Sequence, residues 1–416
     1  MTFATQEQEQ SQIGFKAFRG STHRLVSPEE TVARVLPLLP VMGITRIANV
    51  TGLDHIGVPV VVVCRPNSRS LAVSQGKGLD LAAAKASALM ESIEAYHAEK
   101  ISLPVRLGSF EELRYTNTMI DVEQLPRCRG RSFHKHMPLI WIAASDIMNG
   151  EPVLLPYETV HTDYTFSFRI GAGVFNATSN GLASGNHFWE AVSHGICEVI
   201  ERDATTLWYL RSPESQESTR IDLDSVDHPG CLEVLNRFAR ANILCGLWET
   251  TTDTGVPSFH CTIMNQSDSK VRLMYPTAGM GCHPVRAVAM LRALTEAAQS
   301  RLTAIAGSRD DLPRSDYDRY RNPDLLAANR KLLAETRGRR NANEGANFES
   351  EYFEHDVHWL MDRLRAVRIE RVAVINLTKP EFGIPVVRVV IPGLEGVSLL
   401  PEYVPGRRAQ VAEALS

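Results

Sequence analysis

The stretch Glu190-Ala191-Val192-Ser193-His194-Gly195-Ile196-Cys197-Glu198-Val199-Ile200-Glu201-Arg202 reads as a helix with two unlike sides. Projected at roughly 100° per residue, Asn186, Glu190, His194, Cys197, Glu198 and Glu201 share an arc of about 120°, with Arg202 at its edge. Trp189, Val192, Ile196, Val199 and Ile200 lie opposite. The same division recurs twice. Between Asp80, a fitting N-cap, and Lys100, the residues Ser87, Glu91 and Glu94 fall within about 60° of one another. Ala86, Leu89, Met90, Ile93 and Tyr96 occupy the far side. From Val285 to Ala306, Arg292, Glu296 and Gln299 again share about 60°. Taken singly, each helix reads equally well as an amphipathic helix with a solvated face. Glu91/Glu94 and Glu198/Glu201 are nevertheless like-charge pairs at i, i+3, costing a few tenths of a kcal/mol each unless a cation lies between them. Converging carboxylates are hard oxygen ligands that suit Mg²⁺ shared with phosphates, and Arg202 and Arg292 suit phosphate oxygens.

Around these helices the chain alternates strands and loops. Ile44–Asn49 and Pro59–Cys64 read as strands, and Ser27-Pro28 opens an amphipathic helix running to Leu39. Gly76-Lys77-Gly78 reads as a loop. It has no glycine five positions earlier and no Ser or Thr after the lysine, so it is not a P-loop. Leu139–Ala144 and Val153–Pro156 read as strands, and a Gly- and Asn-rich loop spans Gly171 to Asn186. Residues 1–13 read as a disordered tail, 14–402 as one composite domain, 308–352 as a charged surface insertion or lid, and 403–416 as a C-terminal tail.

Bulk properties narrow the class. The 416 residues are 44% hydrophobic and 22% charged, which is ordinary globular composition. A net charge of -4 and a pI near 6.4 give no basic field for nucleic acid. The longest apolar run, Val58–Cys64, is too short to span a bilayer, and the polar start lacks a signal peptide's pattern. Seven scattered cysteines without a Cys-x-x-Cys pair disfavour disulfides and zinc, so a cytoplasmic protein with no membrane partner is expected.

Several motifs together resemble the YcaO family. They are Ser87-x-x-x-Glu91-x-x-Glu94, the run Ser179 to Asn186, Glu198 to Asp203, and Arg292-Ala293-Leu294-Thr295-Glu296. Gly76 to Gly78, Gly383 to Val387 and Pro392 to Glu395 agree, and the match covers roughly residues 14–402 in order. The resemblance implies an α/β (α+β) fold with mixed sheets and long helices forming an ATP cleft. It implies ATP- and Mg²⁺-dependent phosphorylation of a backbone amide oxygen in a ribosomally made precursor peptide. Carried over by motif, Glu91, Glu94, Glu198, Glu201 and Glu296 would hold Mg²⁺. Lys16, Ser87, Asn186, Glu190, Arg202, Arg292 and Gln299 would bind ATP, and no catalytic residue is assigned beyond that site. Departures are Ala95 where an arginine often follows, the spacing of Gln299, and an ending without a Pro-x-Pro-x-Pro tail. The segment Thr51 to Pro59 looks like members that work beside a TfuA-type sulfur-delivery partner, so the expected product is a thioamide and the expected assembly a homodimer. The alternatives are an azoline formed from Cys, Ser or Thr, and a non-catalytic scaffold. A thiol enzyme using Cys197 and His194, or a metal on His134 and His136, is weakly supported.

Overall fold

The computed structural model describes residues 13–20, 22–165, 172–267, 275–309, 322–335, 337–398 and 403–415. The tail expected at 1–13 lies outside these apart from Ile13. A two-stranded ribbon, β1 (Phe18–Arg19) and β2 (His23–Arg24), comes first. Ser27 and Glu30 then form a reciprocal capping box on a helix Pro28–Val35. The single helix expected to reach Leu39 is broken instead. Pro37 and Pro40 lack the amide hydrogen that would continue it, and a 3₁₀ turn and a short helix Leu39–Met42 follow.

β3 (Arg46–Asn49), β4 (Val60–Cys64) and β5 (Val73–Lys77) form an antiparallel sheet with β4 central, where Val60, Val61, Val62 and Val63 are all buried. Gly76 and Lys77, expected in a loop, belong to β5. A Cβ at Gly76 would lie 2.1 Å from the amide nitrogen of Ala88 and 2.3 Å from the carbonyl oxygen of Ala84. Glycine thus lets the first long helix, Leu81–Glu99, rest directly on the strand. Asp80 caps that helix as the sequence predicts, accepting from the Ala83 amide at 2.7 Å.

β6 (Val105–Ser109), β7 (Pro138–Asp146), β8 (Glu151–Pro156) and β9 (Leu182–Ser184) belong to a larger sheet. β9 falls inside the segment expected as loop, because it pairs with a strand two hundred residues away. The second long helix, Phe188–Tyr209, starts two residues after Asn186, which therefore lies outside it. β10 (Ile243–Glu249), β11 (Ser258–Asn265) and β12 (Thr277–Cys282) repeat the three-stranded antiparallel arrangement, and the third long helix, Arg286–Ala306, lies on β12. Glycine again sets the contact: a Cβ at Gly279 would lie 2.2 Å from the Ala297 nitrogen and 2.4 Å from the Ala293 oxygen.

Within 308–352, residues 310–321 and 336 lie outside the described ones. The described remainder holds a helix, Pro323–Glu335, whose Leu326 and Leu333 pack against Trp208, Trp248 and Met264. A helix Phe353–Ala366 follows, then β13 (Ala373–Asn376) and β14 (Val386–Val390), which complete the larger sheet in the order β6-β7-β13-β14-β9 with β8 on β7. Every named strand pair is antiparallel, so the fold is α+β. The plain tail expected at 403–416 is instead a docked helix, Arg407–Leu415. Its Arg408 donates to buried Asp203 on the second long helix, at 3.0 Å from each carboxylate oxygen. Among the described residues, no helix is long and apolar enough to cross a membrane.

Candidate functional site

The polar arcs of the three long helices do not face bulk water. They face one another across a cavity of about 1190 Å³, lined by Ser87, Glu91 and Glu94 from the first helix, Glu190, Glu198, Glu201 and Arg202 from the second, and Arg292, Glu296 and Gln299 from the third. The choice left open in each single helix is thereby decided.

The carboxylates are held in different ways. Glu94 accepts from the Ser184 amide at 2.9 Å and its hydroxyl at 2.6 Å, so β9 aims it. Glu296 accepts from the Met280 amide at 3.2 Å and pairs with Lys77. Glu201 lies 3.5 Å from Arg202. Glu91 sits deep in the molecule yet remains open to the cavity. The surrounding protein raises the exposed Glu91 carboxyl to about 7, with Lys77 acting against it. Burial likewise pushes Glu198 to about 7 and Glu94 to about 8, with neighbouring carboxylates adding to both. Glu201 is raised for the same first reason. Of the five, Glu296 alone is held below its ordinary value: burial opposes this, and Lys77 and Arg202 outweigh it. Four carboxylates raised chiefly by burial gather in one chamber, and a cation among them would favour their ionised forms. That fits a hard divalent cation such as Mg²⁺.

One end of the cavity has the opposite character. Arg24 and Arg292 both line it, and the Nε of each is buried without a hydrogen-bond partner. Arg292 lies 2.8 Å from His194 Nε2, and Arg24 lies 4.0 Å from Glu190, whose other oxygen accepts from the Leu25 amide at 3.0 Å. Unmet buried donors cost about 1–3 kcal/mol each, which phosphate oxygens would relieve. The orphaned donors and the carboxylate set thus fit ATP and Mg²⁺ together. Arg24 escaped sequence reasoning because β2 carries no periodic pattern around it.

Two expected nucleotide residues stand elsewhere. Lys16 is buried with its ammonium 2.6 Å from Asp356 and 3.2 Å from the Ser350 carbonyl. It fastens the ribbon that brings in Arg24. Asn186 donates to the Thr31 hydroxyl at 3.1 Å, which ties the helix at Pro28–Val35 to the loop before the second long helix. Neither is among the described residues lining the cavity. Gln299 does line it, while donating to the Gln75 carbonyl at 3.1 Å.

The weaker sequence readings separate cleanly. The Cys197 thiol is pushed well above its usual range by its hydrogen bond with Cys282 and by burial, the reverse of an activated thiolate. His134 and His136 are near each other, 5.4 Å between ring centres, but belong to no metal-ligating cluster among the described residues. His23, His283 and Asp356 do cluster. There Lys16 already occupies Asp356, and His283 Nδ1 accepts from the Val285 amide, so a cation would meet an ammonium and a committed imidazole.

A family model described as YcaO cyclodehydratase, ATP- and Mg²⁺-binding, matches residues 75–395. A protein from the tfuA 3′ region of Rhizobium leguminosarum bv. trifolii is 39% identical over 387 residues, covering 92% of this chain and 90% of its own. A protein of Methanothermobacter thermautotrophicus is 35% identical over 389 residues, covering 92% and 97%. Among solved structures, YcaO from Methanopyrus kandleri bound with AMPPCP and Mg²⁺ superposes with a TM-score of 0.73 at 21% identity, over 95% of this chain and all of that one. A heterocyclase in complex with substrate and cofactor gives 0.75 at 22%, over 93% of this chain and 54% of that one. At these identities the two structures speak for the fold.

Proposed function

The chain belongs to the YcaO family of ATP- and Mg²⁺-binding proteins, and from that premise we propose that it activates a backbone amide of a ribosomally made peptide to give a thioamide. ATP and Mg²⁺ are its cofactors. The observation that carries the reading is the convergence of Glu91, Glu94, Glu198, Glu201 and Glu296 with Arg24, Arg202 and Arg292 on one cavity. Glu91, Glu94, Glu198, Glu201 and Glu296 would hold Mg²⁺, which neutralises phosphate charge when bound. Arg202 and Arg292 would orient the phosphates, and Ser87 and Glu190 would complete the nucleotide's surroundings.

The reaction balances without a redox partner. A sulfide adds to the amide carbonyl carbon, the resulting oxyanion takes the γ-phosphoryl group of ATP, and the carbon–oxygen bond breaks. Phosphate leaves with the former amide oxygen, ADP remains, and sulfur stays on carbon. The relative from the tfuA 3′ region supports a TfuA-type partner that delivers the sulfur. The family description favours a second reading, in which a Cys, Ser or Thr side chain of the substrate adds and an azoline results. A scaffold without catalysis fits poorly with a full set of cavity glutamates.

The test is mass spectrometry of the peptide after incubation with Mg²⁺-ATP, sulfide and the TfuA-type protein. Exchange of one oxygen for one sulfur supports the thioamide, and loss of one water supports the azoline. No change with either, alongside no Mg²⁺-dependent binding of AMPPCP, overturns both.

A further inference from the structure

The cavity extends beyond the stations just described. Along the second long helix, Glu190, His194, Glu201 and Trp208 fall within an arc of roughly 40°, and all four line it. From His194 to Glu201 and from Glu201 to Trp208 the helix advances seven residues each time, or about 10 Å. Three stations follow in order. The first is basic, with Arg24, Arg292 and His194. The second holds the glutamates. The third is aromatic, with Trp208, Tyr209, Trp248, His260 and Tyr275.

The aromatic lobe is closely packed: Trp208, Trp248 and His260 are each no more than 4% exposed, while Tyr209 and Tyr275 are half-buried and line the cavity. His260 stacks on Trp208 with ring centres 5.0 Å apart and planes at 30°, and Tyr209 meets His260 edge-on at 5.5 Å. Both indole N–H groups are already committed, Trp208 to the Thr219 hydroxyl at 3.0 Å and Trp248 to Glu217 at 2.9 Å. Burial holds His260 near 4, so its ring is neutral at pH 7. Leu332 and Leu333 from the helix at Pro323–Glu335 close the wall. Among the described residues, nothing in the lobe suits a phosphate. None of the residues proposed for nucleotide or Mg²⁺ lies there. The cavity volume also exceeds the roughly 300–1,000 Å³ that one small-molecule site requires, which leaves space for a second ligand.

We propose that this lobe is a substrate subsite, taking a large apolar or aromatic side chain of the peptide whose amide is activated beside the glutamates. The assignment rests on the function proposed above. Spacing gives the register: about 10 Å from Glu201 is about three extended residues. The side chain in the lobe therefore stands two to three residues from the modified amide. Contact with the half-buried rings of Tyr209 and Tyr275, and with the edges that Trp208, Trp248 and His260 turn to the cavity, would fix which amide of a long flexible peptide reaches the phosphate.

A photoreactive probe tests this on the full chain: an acetylated hexaglycine amide with p-benzoylphenylalanine at its third position. With Mg²⁺ and saturating AMPPCP present, illumination is expected to label segments carrying Trp248, His260 or Tyr275. An excess of the same peptide with phenylalanine at the third position should suppress labelling, and the version with glutamate there should not. Tyr275→Ala and His260→Ala should each cut the yield about five- to tenfold, the worth of one ring contact, with AMPPCP affinity by calorimetry unchanged. Circular dichroism identifies a variant that has not folded, and Tyr275, only half-buried, keeps the test available if His260→Ala fails. Labelling abolished by AMPPCP would assign the lobe to the nucleotide base, and labelling elsewhere would remove the subsite. Either result overturns the proposal. Labelling is also read without nucleotide, so that failed AMPPCP binding, which would sink the underlying function, is seen separately.

Discussion

Replacing Gly279 by alanine should disable the site without touching a residue that faces it. Gly279 lies in β12, under the helix that carries Arg292 and Glu296. The added methyl would stand 2.2 Å from the Ala297 nitrogen and 2.4 Å from the Ala293 oxygen, where ordinary contact begins near 3.4 Å. Both obstacles are backbone, so no side chain can turn away. The third long helix must retreat by roughly 1 Å, at a cost of about 1–3 kcal/mol for an overpacked interior. Glu296 moves with it, away from Lys77 and from the carboxylates on the other two helices. A displacement of about 1 Å in a catalytic constellation typically costs on the order of 10²-fold in rate. The assay pairs Mg²⁺-dependent peptide modification with a thermal melt. Gly130→Ala is the control, because a methyl group there would meet only the Gly173 carbonyl oxygen at 3.7 Å and its backbone is ordinary. Gly279→Ala with the rate and melting temperature of the parent would refute the claim that glycine contact positions the third helix.

Glu198→Gln should lower Mg²⁺-ATP-dependent turnover by about 10²-fold or more while leaving the melting temperature no lower, since it removes one of several mutually repelling carboxylates. Full activity would exclude Glu198 as a cation ligand. Glu99→Gln tests stability alone. Burial would raise Glu99, but hydrogen bonds from Arg65, Ser70 and Ser68 hold it near 2, below its ordinary 4.5. Its contribution is therefore complete above pH 4.5 and fades as pH falls towards 2. The variant should lose about 3–5 kcal/mol at pH 7, because buried Arg65 is left without an opposite charge, and the gap measured by urea unfolding should narrow near pH 3. Asp356→Asn should weaken AMPPCP binding as much as Lys16→Met, by roughly tenfold, if Lys16 acts by fastening the ribbon that carries Arg24. A defect confined to Lys16→Met would mean direct contact with the nucleotide.

The three long helices were legible because each repeats its polar residues over about five turns, and Asp80 marks one start with a capping carboxylate. Their meeting was not legible. Nothing in the periodicity of one helix says whether its polar face meets water or two other helices, and only the order of motifs suggested the answer. Glycine misled at Gly76, where a turn former serves close helix–strand packing. Arg24 and the partner of Lys16 were hidden for a related reason: the Lys16–Asp356 contact joins positions 340 apart, and short strands carry no pattern. The helix Arg407–Leu415 is weakly amphipathic, and Arg408 finds Asp203 only through the tertiary fold. The aromatic lobe is drawn from four separate segments, so no window of sequence contains it.

The most direct test of the central claim follows the amide oxygen. The peptide substrate is prepared with ¹⁸O in the carbonyl of the residue to be modified, and the phosphate released from ATP is examined by mass spectrometry. One ¹⁸O per phosphate, in step with modified peptide, is the result expected if the cavity phosphorylates the amide. Phosphate free of ¹⁸O while the peptide is modified would contradict it.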